Sequence, residues 1–282
     1  MCCLFGFIDY AGSLSVKQKC RLIRELSIAA EVRGTDATGI AYNTSRGLQI
    51  YKRPLAAHRL HLRIPAEAHV VMGHTRMTTQ GSAKKNYNNH PFFGCVKGKS
   101  FALAHNGIVW NDLELRRTKH LPRTKVQTDS FIAVQLIEQQ KALNLSSLKC
   151  MAEQVEGSFS FSVLSEQDEL WLVKGDNPLT IVHFPAVGVY VYASTAEILN
   201  KALARCGNWL GREEKGDIAM GDIIKIDSNG RITRGTFDAS KFYLSSWGYW
   251  DTPLYPKLPH SEEEHLSLLK SVAKAFGFTG EM

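Results

Sequence analysis

Many strand-like runs, with helix-like segments set apart in blocks and few regular strand–helix–strand alternations, restrict this chain to a layered α+β fold. Residues 2–9 are rich in apolar and aromatic types, as a buried strand is. Ser15 and Gln18 offer a capping box for a helix with Val16, Cys20, Ile23, Leu26 and Ala30 along one face, and Gly34 can end it. Strand signals at residues 39–43 and 48–52 flank the turn residues Ser45-Arg46-Gly47, and residues 54–63 read as a short basic helix. A strand from residue 69 runs directly into Gly73-His74-Thr75-Arg76. Residues 77–100 read as a long irregular loop, which in a compact domain usually has a function. A strand at 101–104 leads to His105-Asn106-Gly107. Thr128 is the expected N-cap of a helix through about residue 143, and a second helix covers about 147–154. Four strand-like runs (159–164, 170–173, 180–184, 187–192), a helix at 196–204 and a hairpin around Asn229-Gly230 complete the pattern.

The 282 residues suffice for one large domain, or one domain with an extension, and 44% hydrophobic content supports a sizeable core. No run of 18 apolar residues exists, so no membrane span is expected, and Asp9 breaks the apolar start that a signal peptide would need. The six cysteines show neither a C-x-x-C pair nor zinc spacing. They read as reduced thiols of a cytoplasmic protein with no bound metal. The net charge of +7 is dispersed and reads as solvated Lys and Arg rather than as a nucleic-acid surface.

The composition shifts near residue 236. Phe242, Tyr243, Trp247, Tyr249, Trp250 and Tyr255 crowd a Gly- and Pro-punctuated stretch. Ser261 then caps a final helix with Leu266, Leu269, Val272 and Phe276 on one side. This extension, residues 236–282, reads first as a tail packing on its own domain, with a docking surface for another subunit as the alternative.

The chemistry begins at Met1-Cys2. Cys is small enough to favour excision of the initiator Met, which would leave a residue carrying an α-amine and a thiol together. An α-amine with a pKa near ~7.7–8.0 can take a proton at neutral pH. A thiol near ~8.5 is a strong nucleophile once ionised. Alone, Cys2 reads as an ordinary small hydrophobe opening a strand.

Six segments, in order, change that balance: Met1-Cys2 with Leu4-Phe5-Gly6-Phe7-Ile8, Arg33-Gly34-Thr35-Asp36, Gly73-His74-Thr75-Arg76, Asn89-His90-Pro91-Phe92, His105-Asn106-Gly107-Ile108 and Thr128-Asp129-Ser130. Together they resemble the glutaminase domain of class II glutamine amidotransferases, within the N-terminal-nucleophile hydrolases, over roughly residues 2–235. The resemblance implies a four-layer αββα sandwich with two central, mainly antiparallel sheets. It implies L-glutamine as substrate and Cys2 as the nucleophile that attacks its side-chain amide. Asn106 and the Gly107 N–H would form the oxyanion hole, although an Asn-Gly pair by itself is more often just a turn. Arg76 would bind the substrate carboxylate with a hydroxyl contact from Thr79, and Asp129 would bind the ammonium. Asp129 has a second reading, as a helix N-terminal carboxylate stabilised by the dipole. Arg33 would be a structural support near the nucleophile, and His90 a packing or hydrogen-bonding residue rather than a catalyst.

The chain departs from its relatives at Met77, where some have Trp, and at Gln80, where sugar-specific relatives have His. Too few residues follow 235 for an acceptor domain, so the expected partner is a separate ammonia-accepting synthase subunit. No cofactor is expected. Two other functions fit parts of the pattern: a different N-terminal-Cys amide hydrolase, and a non-catalytic module that senses glutamine.

Overall fold

The computed structural model of the chain describes residues 2–242. The aromatic stretch from residue 243 on and the helix expected after Ser261 lie outside the described residues. Two antiparallel sheets form the centre. In the first, β1 (Cys3–Asp9) lies between β4 (Val70–Arg76) and β10 (Val189–Ala193). The sheet continues past β4 through β2 (Ala37–Thr44) and β3 (Gly47–Arg53), and past β10 through β9 (Thr180–Phe184) and β11 (Glu214–Gly216). The second sheet runs in the order β5 (Phe92–Val96), β6 (Lys99–Val109), β7 (Gly157–Ser165), β8 (Leu170–Lys174), β12 (Asp222–Ile226) and β13 (Ile232–Thr236).

The two-residue period of β1 explains why both of its faces are apolar. Cys3, Phe5 and Phe7 pack in one cluster with Leu22, Ile23 and Leu26 of α1 (Val16–Ala29) and Ile198, Leu199 and Ala202 of α5 (Ala196–Cys206). Leu4 and Ile8, on the opposite face, join Val70 and Met72 and meet Ala102, Ala104, Leu164 and Leu172 of the second sheet. Gly6 belongs to that inner layer because a Cβ there would collide with the Val71 carbonyl and the buried Tyr192 ring. On the other side of the second sheet, α3 (Phe131–Gln139) lies against β5 and α4 (Leu145–Gln154) against β12. Phe92 of β5 meets Phe131 of α3 edge-on at 5.5 Å. The layers are therefore α, β, β, α, as the resemblance implies. No helix among the described residues is long and apolar enough to cross a membrane.

The Ser15–Gln18 capping box forms in full, and the hairpin of β2 and β3 turns at residues 45–46 as expected. Several expectations need correction. Val16 is 45% exposed, so it stands off the buried face of α1. Residues 54–63 hold only a 3-10 turn, Ala57–Arg59. Leu60, Leu62 and Ile64 all enter the core at a spacing of two, which an extended chain satisfies and a helix does not. The loop expected at 77–100 contains β5, which pairs with β6 across a turn at Lys97 and Gly98, both with positive φ. The helix expected from Thr128 begins at Phe131 and ends at Gln139. Its N-cap position is Ser130, whose hydroxyl is engaged by His105 Nδ1 at 2.8 Å instead of capping, and Thr128 Oγ1 has no partner among the described residues. A helix α2 (Asp112–Thr118) was not anticipated.

Candidate active site

Cys2 sits immediately before β1, and antiparallel pairing of Cys3 with Thr75 brings it beside the end of β4. Its thiol lies 3.6 Å from the Met77 carbonyl oxygen and is half-buried. The Arg33-Gly34-Thr35-Asp36 segment braces this junction. Arg33 Nε donates to the Cys2 carbonyl at 2.8 Å. Gly34 lets the backbone pass close to β4, since a Cβ would collide with the Arg76–Met77 peptide. The Asp36 N–H donates to the Arg76 carbonyl at 3.0 Å, and Asp36 Oδ2 accepts from the Thr78 N–H at 2.7 Å.

Alternation along β4 sends Thr75 towards the helical layer, where its hydroxyl donates to the Ala30 carbonyl at 3.0 Å. His74 and Arg76 therefore face the second sheet. His74 Nε2 spans the gap and donates to the His105 carbonyl at 2.9 Å, which ties the end of β4 to β6 just before Asn106. Asn106 is fully buried and shares the face of Ala102 and Ala104, towards the first sheet. Its backbone carbonyl accepts from Asn177 Nδ2 at 2.9 Å, while both polar atoms of its side-chain amide lack a partner among the described residues. Gly107 has φ +146, and a Cβ there would collide with the Ser158 carbonyl. Only glycine fits that position without strain.

Arg76 is 3% exposed and Asp129 4% exposed. Arg76 Nη1 donates to Asn89 Oδ1 at 2.7 Å, and Nη2 donates to the carbonyls of Gln80 at 2.5 Å and Gly81 at 3.2 Å. Asp129 Oδ2 accepts from the Val109 N–H at 2.6 Å and Oδ1 from the Ser130 hydroxyl at 3.3 Å. Every one of these partners is neutral, and among the described residues neither group is in an ion pair. Gln80 joins the two, because its Oε1 also accepts from the Asp129 N–H at 2.9 Å. Buried charges are ordinarily paired. A cation and an anion left unpaired, with the Cys2 thiol in the field of both, can accept a ligand bearing both charges.

Burial raises the Cys2 thiol above its ordinary pKa; the Met77 hydrogen bond and Arg76 oppose the rise, and Asp129 adds to it. The thiol therefore rests protonated at neutral pH. Burial lowers the Arg76 guanidinium, against the pull of Cys2, Asp36 and Asp129. Burial also pushes His74 down to about 3 and lowers His90 and His105. His90 is packed between the His74 ring at 4.2 Å and the Phe92 ring at 4.3 Å, and neither of its nitrogens has a partner among the described residues. Lys52 of β3, lowered to about 8 by burial first and Arg76 second, donates to the carbonyls of Asn89 at 2.6 Å and Pro91 at 2.9 Å.

Of the residues expected from sequence, Cys2, Arg33 and Arg76 meet at the junction of β1 and β4. Asn106, Gly107 and Asp129 come from β6 and the start of α3. Thr79 is on the exposed segment that follows β4. Asn89, Gln80, Lys52 and Asn177 were not foreseen in their contacts.

Residues 74–201, from His74 of β4 into α5, match the family of glutamine amidotransferase domains. By this match the chain is similar to glutamine amidotransferase domains over fewer than half of its residues. It is 30% identical over 194 residues to the glutamine–fructose-6-phosphate aminotransferase (isomerizing) of Sulfurisphaera tokodaii, covering 64% of this chain and 31% of that protein. It is 31% identical over 190 residues to the same enzyme of Bacillus thuringiensis subsp. konkukian, covering 64% of this chain and 30% of that one. The chain thus spans about a third of the length of the curated relatives it matches. Its fold is shared with glutamine phosphoribosylpyrophosphate amidotransferase from B. subtilis in complex with ADP and GMP. That match has a TM-score of 0.64 at 18% identity and covers 84% of this chain and 49% of the other.

Proposed function

We propose that this domain hydrolyses L-glutamine to L-glutamate and ammonia through a thioester on Cys2, and that a separate synthase subunit accepts the ammonia. The observation that carries the reading is the pair of buried, unpaired charges, Arg76 and Asp129, beside the Cys2 thiol. Free glutamine presents an α-carboxylate and an α-ammonium about an amino acid's width apart, and a peptide-bound glutamine presents neither. Arg76 takes the carboxylate, with Thr79 adding a hydroxyl, and Asp129 takes the ammonium.

Excision of Met1 turns the Cys2 amide nitrogen into an α-amine. That amine accepts the thiol proton, and the sulfur attacks the side-chain amide carbon. The C–O π electrons move onto oxygen, where the unpartnered Asn106 Nδ2 and the Gly107 N–H stabilise them. Collapse expels ammonia, which carries away the proton held by the α-amine and leaves the glutamyl thioester. Water, deprotonated by the same amine, attacks the thioester; the thiolate leaves and recovers the proton, releasing glutamate. No metal or organic cofactor enters these steps. Arg33, through the Cys2 carbonyl, holds the nucleophile in place, and His90 packs between the His74 and Phe92 rings. Residues 2–235 form the catalytic unit and 236–282 an extension to it. The six free thiols suit the reducing cytoplasm.

Glutamate and ammonia release by the Met1-free protein tests the reading, with Cys2→Ala measured beside it. The expected result is turnover by the parent, and loss of turnover with retained glutamine binding in Cys2→Ala. Binding without turnover in the parent would instead identify a glutamine sensor. Hydrolysis of peptide or acyl amides with indifference to free glutamine would identify a different amide hydrolase.

A further inference from the structure

We propose that Asn89 is a positioning residue for substrate: its neutral Oδ1 aims the Arg76 guanidinium at an incoming carboxylate without neutralising it. The proposal rests on the glutaminase reading and adds a residue to it. Arg76 has five N–H groups and three hydrogen-bond acceptors: Asn89 Oδ1, the Gln80 carbonyl and the Gly81 carbonyl. Donors therefore remain for a ligand, and the orientation of the planar group decides where they point. The two backbone carbonyls belong to the exposed segment after β4. Asn89 is the one side chain of the three, and it has no solvent exposure.

Asn89 is itself fixed from three directions. Its Nδ2 donates to the Ala83 carbonyl at 2.8 Å and to Asn86 Oδ1 at 3.2 Å. Its own carbonyl accepts from Lys52 Nζ, on β3, at 2.6 Å. The rigid sheet is thus connected through Lys52 and Asn89 to the tip of Arg76. The carboxylates that act on Arg76, Asp36 and Asp129, accept from the backbone N–H groups of Thr78 and Val109. The surroundings hold the cation firmly and leave it without an ion-pair partner among the described residues. An aspartate in place of Asn89 would keep the size and the acceptor facing Arg76, lose the two Nδ2 donor bonds, compensate the charge and compete with the substrate carboxylate.

The test compares KM for L-glutamine with KM for its α-methyl ester, which keeps the ammonium and the reacting amide but has no carboxylate. In the parent the free acid should be strongly preferred. Asn89→Asp should raise KM for glutamine at least roughly tenfold, about the worth of one charge-assisted contact, and leave KM for the ester nearly unchanged. The preference should collapse. Lys52→Met, which frees Asn89 without adding charge, guards against failure of the first variant to fold, and should shrink the preference in the same direction. Equal changes for both substrates, or an unchanged preference in a folded variant, would overturn the assignment of Asn89. Failure of the parent to use glutamine at all would instead overturn the glutaminase reading.

Discussion

Acid should loosen this fold through its buried histidines, and His74 allows the size of the effect to be worked out. Its folded-state pKa is about 3 against an ordinary 6.5, because burial penalises the imidazolium. Below pH 6.5 the unfolded chain therefore binds a proton that the folded chain refuses. Stability is lost as pH falls from 6.5 towards 3 and the loss levels off below that. At about pH 5 the unfolded form is favoured by roughly 1.5 pH units, or about 2 kcal/mol, for this one group. His90 is shifted in the same direction and adds to the loss, whereas Asp112, Glu138 and Asp168, raised by burial, work against it. Comparison with His74→Gln isolates the single term, since glutamine keeps an N–H for the His105 carbonyl and cannot titrate. Urea unfolding of both proteins at pH 7.5 and pH 5 should show the parent losing about 2 kcal/mol more than the variant. Parallel losses in the two proteins would refute the claim that His74 is neutral and buried in the folded state.

Two substitutions separate the proposed oxyanion and substrate-binding roles. Asn106→Ala should lower kcat about 10²–10³-fold with little change in KM, as loss of one oxyanion donor does. A comparable rise in KM with kcat unchanged would place Asn106 outside the oxyanion hole. Asp129→Asn should raise KM for glutamine by at least roughly tenfold and leave an analogue that lacks the α-amine nearly unaffected. An equal effect on both would return Asp129 to the role of a structural helix-start carboxylate.

Legibility in the sequence followed the range of the interaction. The Ser15–Gln18 capping box spans three residues and could be read directly. β1 is marked by apolar types on both faces because both faces are buried. β5 was obscured, since its hairpin turns on Lys97-Gly98 and Asn, Pro and Gly crowd its approach. Thr128 looked like a cap by residue type, but the hydroxyl at the cap position, that of Ser130, is committed to His105, twenty-five residues away. The site divides in the same way. Cys2, Arg76, Asn106, Gly107 and Asp129 stand in short motifs whose chemistry can be argued locally. The contacts of Asn89, Gln80, Lys52 and Asn177 reach backbone or side-chain atoms brought near only by the sandwich, and no local pattern announces them.

The intact mass of the purified protein, before and after treatment with a glutamine-mimicking diazoketone, tests the central claim most directly. The account predicts a starting mass without Met1, then a single adduct, mapped to Cys2, that excess glutamine prevents. A chain that retains Met1 and takes no adduct, or an adduct that forms at another cysteine regardless of glutamine, would contradict it.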